Sequence, residues 1–214
     1  MTAEKNTVGI WDPIVRIGHW TLVLSFFLAY FTEDDFLTQH AWAGYIVGAV
    51  VCVRLVWGLI GSKHARFSDF VRSPGATFRH LGELVRHRAT RYLGHNPAGG
   101  AMIVALLIGL SGTVFSGLMI YAIEENAGPL AGWVAAANAS PVLPTIISTA
   151  RADEDAYEEH DEHESAEEFW EEVHEIFANL MLLLIAVHVA GVLYSSHVDK
   201  ENLVRAMITG RKRL

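Results

Sequence analysis

A membrane-embedded, all-α four-helix bundle is the fold class this sequence predicts, and three observations predict it. Just over half of the 214 residues (51%) are hydrophobic, and they collect in four long blocks rather than in short or alternating runs. The charged residues between those blocks segregate by sign. Four of the eleven histidines fall inside the blocks or at their ends.

The blocks run from about 13–31, 42–60, 100–123 and 176–195, each near the roughly 20 apolar residues that a bilayer span requires. Trp11, Trp20, Trp42, Trp57 and Trp170 lie near block ends, where amphipathic rings favour the headgroup level. The N-terminal stretch lacks a short apolar core followed by a small-residue cleavage site, so the first span is expected to persist in the mature chain. Residues 1–214 read as one membrane domain, with a basic loop over 62–97 and an acidic loop over 124–172. Cys52, the single cysteine, excludes an internal disulfide and is expected to be a small buried core residue.

Charge sets the expected orientation. The basic loop carries Lys63, Arg66, Arg72, Arg79, Arg86, Arg88 and Arg91 against Asp69 and Glu83, and the tail carries Lys200, Arg205, Arg211, Lys212 and Arg213. The positive-inside rule puts both in the cytoplasm, and four spans then put the N-terminus there too. The stretch from Asp153 to Glu172 is almost solidly acidic and belongs on the periplasmic side of a cell inner membrane. Within the basic loop, FRHLGELVRHRATRYL has apolar residues at helical spacing, which reads as an amphipathic helix on anionic lipid. The basic loop's histidines, His64, His80 and His87, read as surface residues rather than ligands. Lipid explains this loop better than nucleic acid does, and no nucleotide loop or hydrolase triad is present.

Ionisable side chains inside a bilayer are costly and mark function. His19 starts span one and is therefore cytoplasmic, whereas His40 starts span two and is periplasmic. His174 opens span four, and His188 follows 14 residues later, about 21 Å further along and nearly on the same face. The depths pair His19 with His188 and His40 with His174. Each pair can supply two axial nitrogens to one haem iron between antiparallel helices. With both axial positions filled, such iron suits electron transfer rather than oxygen binding. Gly44 and Gly48 share the His40 face, and span three carries Gly109, Gly112, Ser116 and Gly117. Those glycines either admit a flat porphyrin or serve close helix packing. Arg54 and Arg16 lie at the cytoplasmic ends of spans two and one, where each can bind a haem propionate or snorkel to phospholipid.

RIGHW in span one, HAWAGYIVG and RLVWG in span two, and VHEIFANLMLLLIAVHVAG in span four resemble the prokaryotic cytochrome b561 family, as do YLGHNPAGGAMIVALL and ENLVRAMITGRKR. The family includes the cytochrome b subunits of nickel–iron hydrogenases. The resemblance spans nearly the whole chain except about 124–168. It implies two haems b ligated at His19, His40, His174 and His188, and it places His95, in GHNP, near a haem edge or a quinone site.

The implied role is electron transfer between the quinone pool and a redox partner: a periplasmic cytochrome c, or a membrane-bound dehydrogenase or hydrogenase subunit. The acidic segment would attract a cationic partner. It would repel superoxide, which weighs against an alternative enzymatic role as a superoxide:quinone oxidoreductase. His160 and His163 within that segment can bind a divalent metal or be part of a solvated acidic run. A haem-free anchor, or a transporter of metal or protons through its histidines, is the alternative of another class.

Overall fold

The computed structural model describes residues 7–32, 36–86, 88, 90, 92–138 and 155–213, with the side chains of 155–165 outside that description. The order of elements is β1 (Thr7–Gly9), α1 (Pro13–Phe31), α2 (Leu37–Ile60), α3 (Phe67–Phe70), α4 (Pro74–Val85), α5 (Pro97–Glu124), α6 (Ala131–Asn138), α7 (Asp155–Val198), α8 (Leu203–Thr209) and β2 (Arg211–Arg213). Four helices are long and apolar enough to cross a membrane: α1, α2, α5 and the Ala166–Val198 part of α7.

Among the described residues, three helices open on a polar cap followed by proline. Asp12 Oδ1 accepts from the Val15 amide at 3.0 Å ahead of Pro13. Ser73 precedes Pro74 and accepts from Ala76, and Asn96 precedes Pro97 and accepts from the Gly99 amide at 2.7 Å. The cap fills one of the donors that a helix start leaves open, and proline has no amide to leave unpaired there.

The chain forms two compact units, Met1–Ser111 with Leu180–Leu214, and Gly112–Asn179. In the first, α1 and α2 form an antiparallel hairpin. Its far end is held by His40 and the Ala29 carbonyl (3.0 Å). At the near end, Asp12 Oδ2 accepts from Trp57 Nε1 (3.1 Å) and from the Ser62 hydroxyl. Ala43, Val47 and Val51, four residues apart, are the buried stripe of α2. Ile17, Leu24, Leu28 and Phe31 of α1 point outward, as lipid-facing side chains do.

The chain ends meet. β1 pairs antiparallel with β2, Val8 opposite Lys212. Ile10 and Trp11 amides donate to the Gly210 carbonyl. Gly210 caps α8 at φ 78, a left-handed conformation suited to glycine. This two-stranded pair lies outside the all-α expectation. It sets the segments before α1 and after α8 side by side.

Several expectations are corrected. Span two begins at Leu37 rather than about 42, and α5 at Pro97 rather than about 100. The acidic segment is not all loop, because residues 155–172 are helical and continue into the last span as α7. Glutamate and alanine favour helix, and carboxylates near the start suit the positive end of the helix dipole. Cys52 is exposed rather than buried, since the outer face of a membrane helix meets lipid instead of core.

Asp12 accepts from three partners across two helices and a turn. Burial alone would raise its pKa, but bonds from Ser62, Val15 and Trp57 hold it below the usual carboxylate value. Asp12→Ala should therefore lower stability by about 1–3 kcal/mol, read as a lower Tm of the detergent-solubilised protein. Asp12→Asn should lose less.

Candidate functional site

His19 of α1 and His188 of α7 face one another with ring centroids 6.5 Å apart and planes tilted by 53°. Both rings are half-buried, and His19 Nδ1 is buried with no hydrogen-bond partner among the described residues. Trp20 packs edge-on to His19 at 5.1 Å. The donor set suits a metal ion, and the centroid spacing leaves room for one between the imidazoles, since a metal–nitrogen bond takes about 2 Å on each side. This is the pair anticipated for a haem on the His19 side.

The other two histidines carry a further feature. His40 Nδ1 lies 3.0 Å from the Ala29 carbonyl oxygen, which accepts its proton. In the second unit, Ser116 is fully buried, and its hydroxyl donates to the Gly112 carbonyl at 2.9 Å, with the Thr113 carbonyl at 3.1 Å. The same oxygen lies 3.0 Å from His174 Nδ1 and, with its proton given to a carbonyl, is free to accept from that ring. Each bond selects the tautomer whose lone pair is on Nε2, the arrangement that orients metal-binding histidines. His40 belongs to the first unit and His174 to the second.

The glycines of α5 resolve toward helix packing. A Cβ on Gly112 would meet the Phe177 ring at 2.4 Å, and one on Gly117 would meet His174 Cε1 at 3.0 Å. Gly109 likewise lies against Met181. Gly44, on the His40 face of α2, differs: a Cβ there would meet no atom of the described residues within 4 Å beyond its chain neighbours and its own stretch of helix backbone.

Arg16 donates to the Ile208 carbonyl near the end of α8, while its Nε is buried without a partner among the described residues. Arg54 lies over Phe67 and Phe70, 5.2 and 5.8 Å from their centroids. Its buried NH1 likewise has no partner among the described residues. A buried guanidinium with an unused donor fits an anionic group such as a carboxylate.

His95 packs against Trp11 (4.4 Å) and Phe70 (4.7 Å). Burial, with the nearby Arg54 and Lys212 charges, pushes its pKa down to about 3, so the ring is neutral at physiological pH. The loop histidines depart from the surface expectation. His80 is only 3% exposed, and neither ring nitrogen has a partner among the described residues. His64 is half-buried and lies 3.0 Å from Asp69. His87 lies outside the described residues, as do the side chains of His160 and His163.

Ser116 and the Ala29 carbonyl were not singled out from the sequence as histidine partners. A serine among glycines opposite the helix that bears His174 is the only linear trace of the first, and a backbone carbonyl leaves none.

The sequence pattern of one family, described as prokaryotic cytochrome b561, matches residues 10–210. No curated protein and no solved structure matches the chain.

His95 yields a pH prediction. Its folded pKa of about 3 lies below the ordinary 6.5. Between those values the unfolded chain binds a proton that the folded chain does not, so stability is full above about pH 6.5 and falls as pH drops toward 3. Thermal unfolding between about pH 7 and pH 4 should show this loss, and His95→Gln should flatten it.

Proposed function

Since this chain belongs to the prokaryotic cytochrome b561 family and is a multi-pass inner-membrane b-type cytochrome of electron transfer, we propose that it binds two haems b and carries electrons between the quinone pool and a cationic redox partner. His19 with His188 holds one haem, and His40 with His174 holds the other. The termini and basic loop lie in the cytoplasm and the acidic segment in the periplasm. Bound haem b supplies a one-electron iron couple. The observation that carries the proposal is the facing pair His19 and His188 at 6.5 Å, placed by two different membrane helices.

The chain's own residues divide the remaining work. Ala29 and Ser116 accept the Nδ1 protons of His40 and His174 and so present Nε2 to iron. Arg54 and Arg16 supply buried donors for propionate carboxylates on the His19 side. His95 offers a neutral hydrogen-bonding ring against two aromatic faces, chemistry that suits a quinone head group.

On α7, Glu168, Glu171, Glu172 and Glu175 are exposed. Glu124, Glu167 and Glu171 bring carboxylate oxygens within 4.8 Å of one another. Such a concentration of negative charge steers a basic soluble cytochrome c by long-range attraction, and this favours that partner over a membrane-bound dehydrogenase or hydrogenase subunit.

Reduced-minus-oxidised spectra with pyridine haemochrome quantitation should give two haems b per chain. His40→Ala and His188→Ala should each retain one, with different spectra. Haem-free protein, or loss of the same haem in both variants, would overturn the assignment. Ser116→Ala should weaken haem retention on the His174 side by about 10–100-fold, measured by transfer of haem to apomyoglobin.

A further inference from the structure

The basic segment between α2 and α5 holds a helix whose two faces have different surroundings. One face of α4 is fixed to the protein. His80 is buried and meets Tyr92 edge-on at 5.4 Å. The Thr77 hydroxyl reaches the Pro97 carbonyl at 3.5 Å, and Tyr194 of α7 donates to the Leu84 carbonyl at 3.2 Å. Pro97 is the first residue of a membrane-spanning helix, so α4 is held at the level where that span begins.

The neighbouring face, centred about 100° round the helix, is apolar and uncovered. Phe78 and Val85 are 72% and 73% exposed, and Leu81 is 40% exposed. At 100° per residue these three fall within an arc of about 60°. Arg79 and the capping Arg86 lie about 80–100° round the helix from Phe78, and both are exposed. The contact of Arg79 with Glu83 is a 4.0 Å pair in solvent, too weak to occupy the guanidinium. Exposed Arg72 and Arg88 flank the helix on either side.

We infer that α4 is an in-plane anchor for anionic phospholipid, with Phe78, Leu81 and Val85 entering the boundary between headgroups and acyl chains and Arg79 and Arg86 binding lipid phosphates. Three features select lipid as the occupant. The protein already sits in a bilayer. The helix is tethered to the start of a span, so the bilayer surface is beside it. The stripe has the pattern of interfacial helices, with an apolar face bordered by arginine, and cations near an anionic leaflet each add to binding. The histidine side fixes the rotation of the helix, so that the apolar stripe rather than the polar edge meets the membrane.

The test uses the full chain in nanodiscs, either of phosphatidylcholine alone or of an equimolar mixture with phosphatidylglycerol. A nitroxide is attached at Phe78→Cys or Val85→Cys in a Cys52→Ser background, and collision with oxygen and with a water-soluble nickel chelate is measured. Leu24→Cys on the outer face of α1 serves as a folded, lipid-facing reference in every sample. The expected result is several-fold lower nickel accessibility at both α4 positions when phosphatidylglycerol is present, reversed by Arg79→Gln with Arg86→Gln. Higher nickel than oxygen accessibility in both bilayers would place the face in water and overturn the inference. An immobilised label shielded from both reagents would also overturn it, pointing to a second copy or another protein as the cover. Equal burial in both lipids, unaffected by the arginine changes, would refute the anionic preference.

Discussion

Hydrocarbon offers no water to satisfy a polar atom, and this constraint orders the rest of the molecule. Each polar group that enters the spans has to find its partner within the chain or in something the chain binds. His40 finds the Ala29 carbonyl, and His174 finds Ser116, whose own proton goes to a carbonyl one turn back. Asp12 closes the α1–α2 hairpin by accepting from an amide, an indole and a hydroxyl together. What remains unpartnered among the described residues is concentrated in the first unit, at His19, Arg16, Arg54, His95 and His80. Apart from His80, those leftover atoms belong to the residues proposed above to hold a haem and its carboxylates, or a quinone.

Under the proposed assignment, the four histidines divide the tasks of ligation. Two face each other directly across α1 and α7, and two are turned by a neighbouring oxygen so that Nε2 carries the lone pair. A hydrogen bond of that kind limits ring rotation and favours one tautomer, which lowers the ordering cost of metal binding. Close helix contact supports it: Gly117 allows His174 to lie against α5, and a side chain there would press on the ring.

Much of this was legible in the linear chain. The four spans follow from block length and hydropathy, since the bilayer imposes a length that few soluble folds share. The pairing of His19 with His188 followed from which side each span starts on, together with helical rise, and their rings do come together. Arg54 stood out because a charge in an apolar run requires an explanation. Other features were not legible, and for definite reasons. The contact of His80 with Tyr92 joins residues twelve apart, and the pairing of β1 with β2 joins segments about two hundred residues apart. The helical character of the acidic stretch was masked by its charge, which reads equally well as solvated loop.

The sequence by itself determined the membrane class and the number of spans, because these depend on composition and period along the chain. Tertiary structure alone decided which oxygen orients each histidine, which buried donors stay unused, and which face of α4 is left uncovered. Those outcomes depend on contacts between helices distant in sequence, where a shift of one ångström decides whether a hydrogen bond exists, and no local pattern encodes that distance.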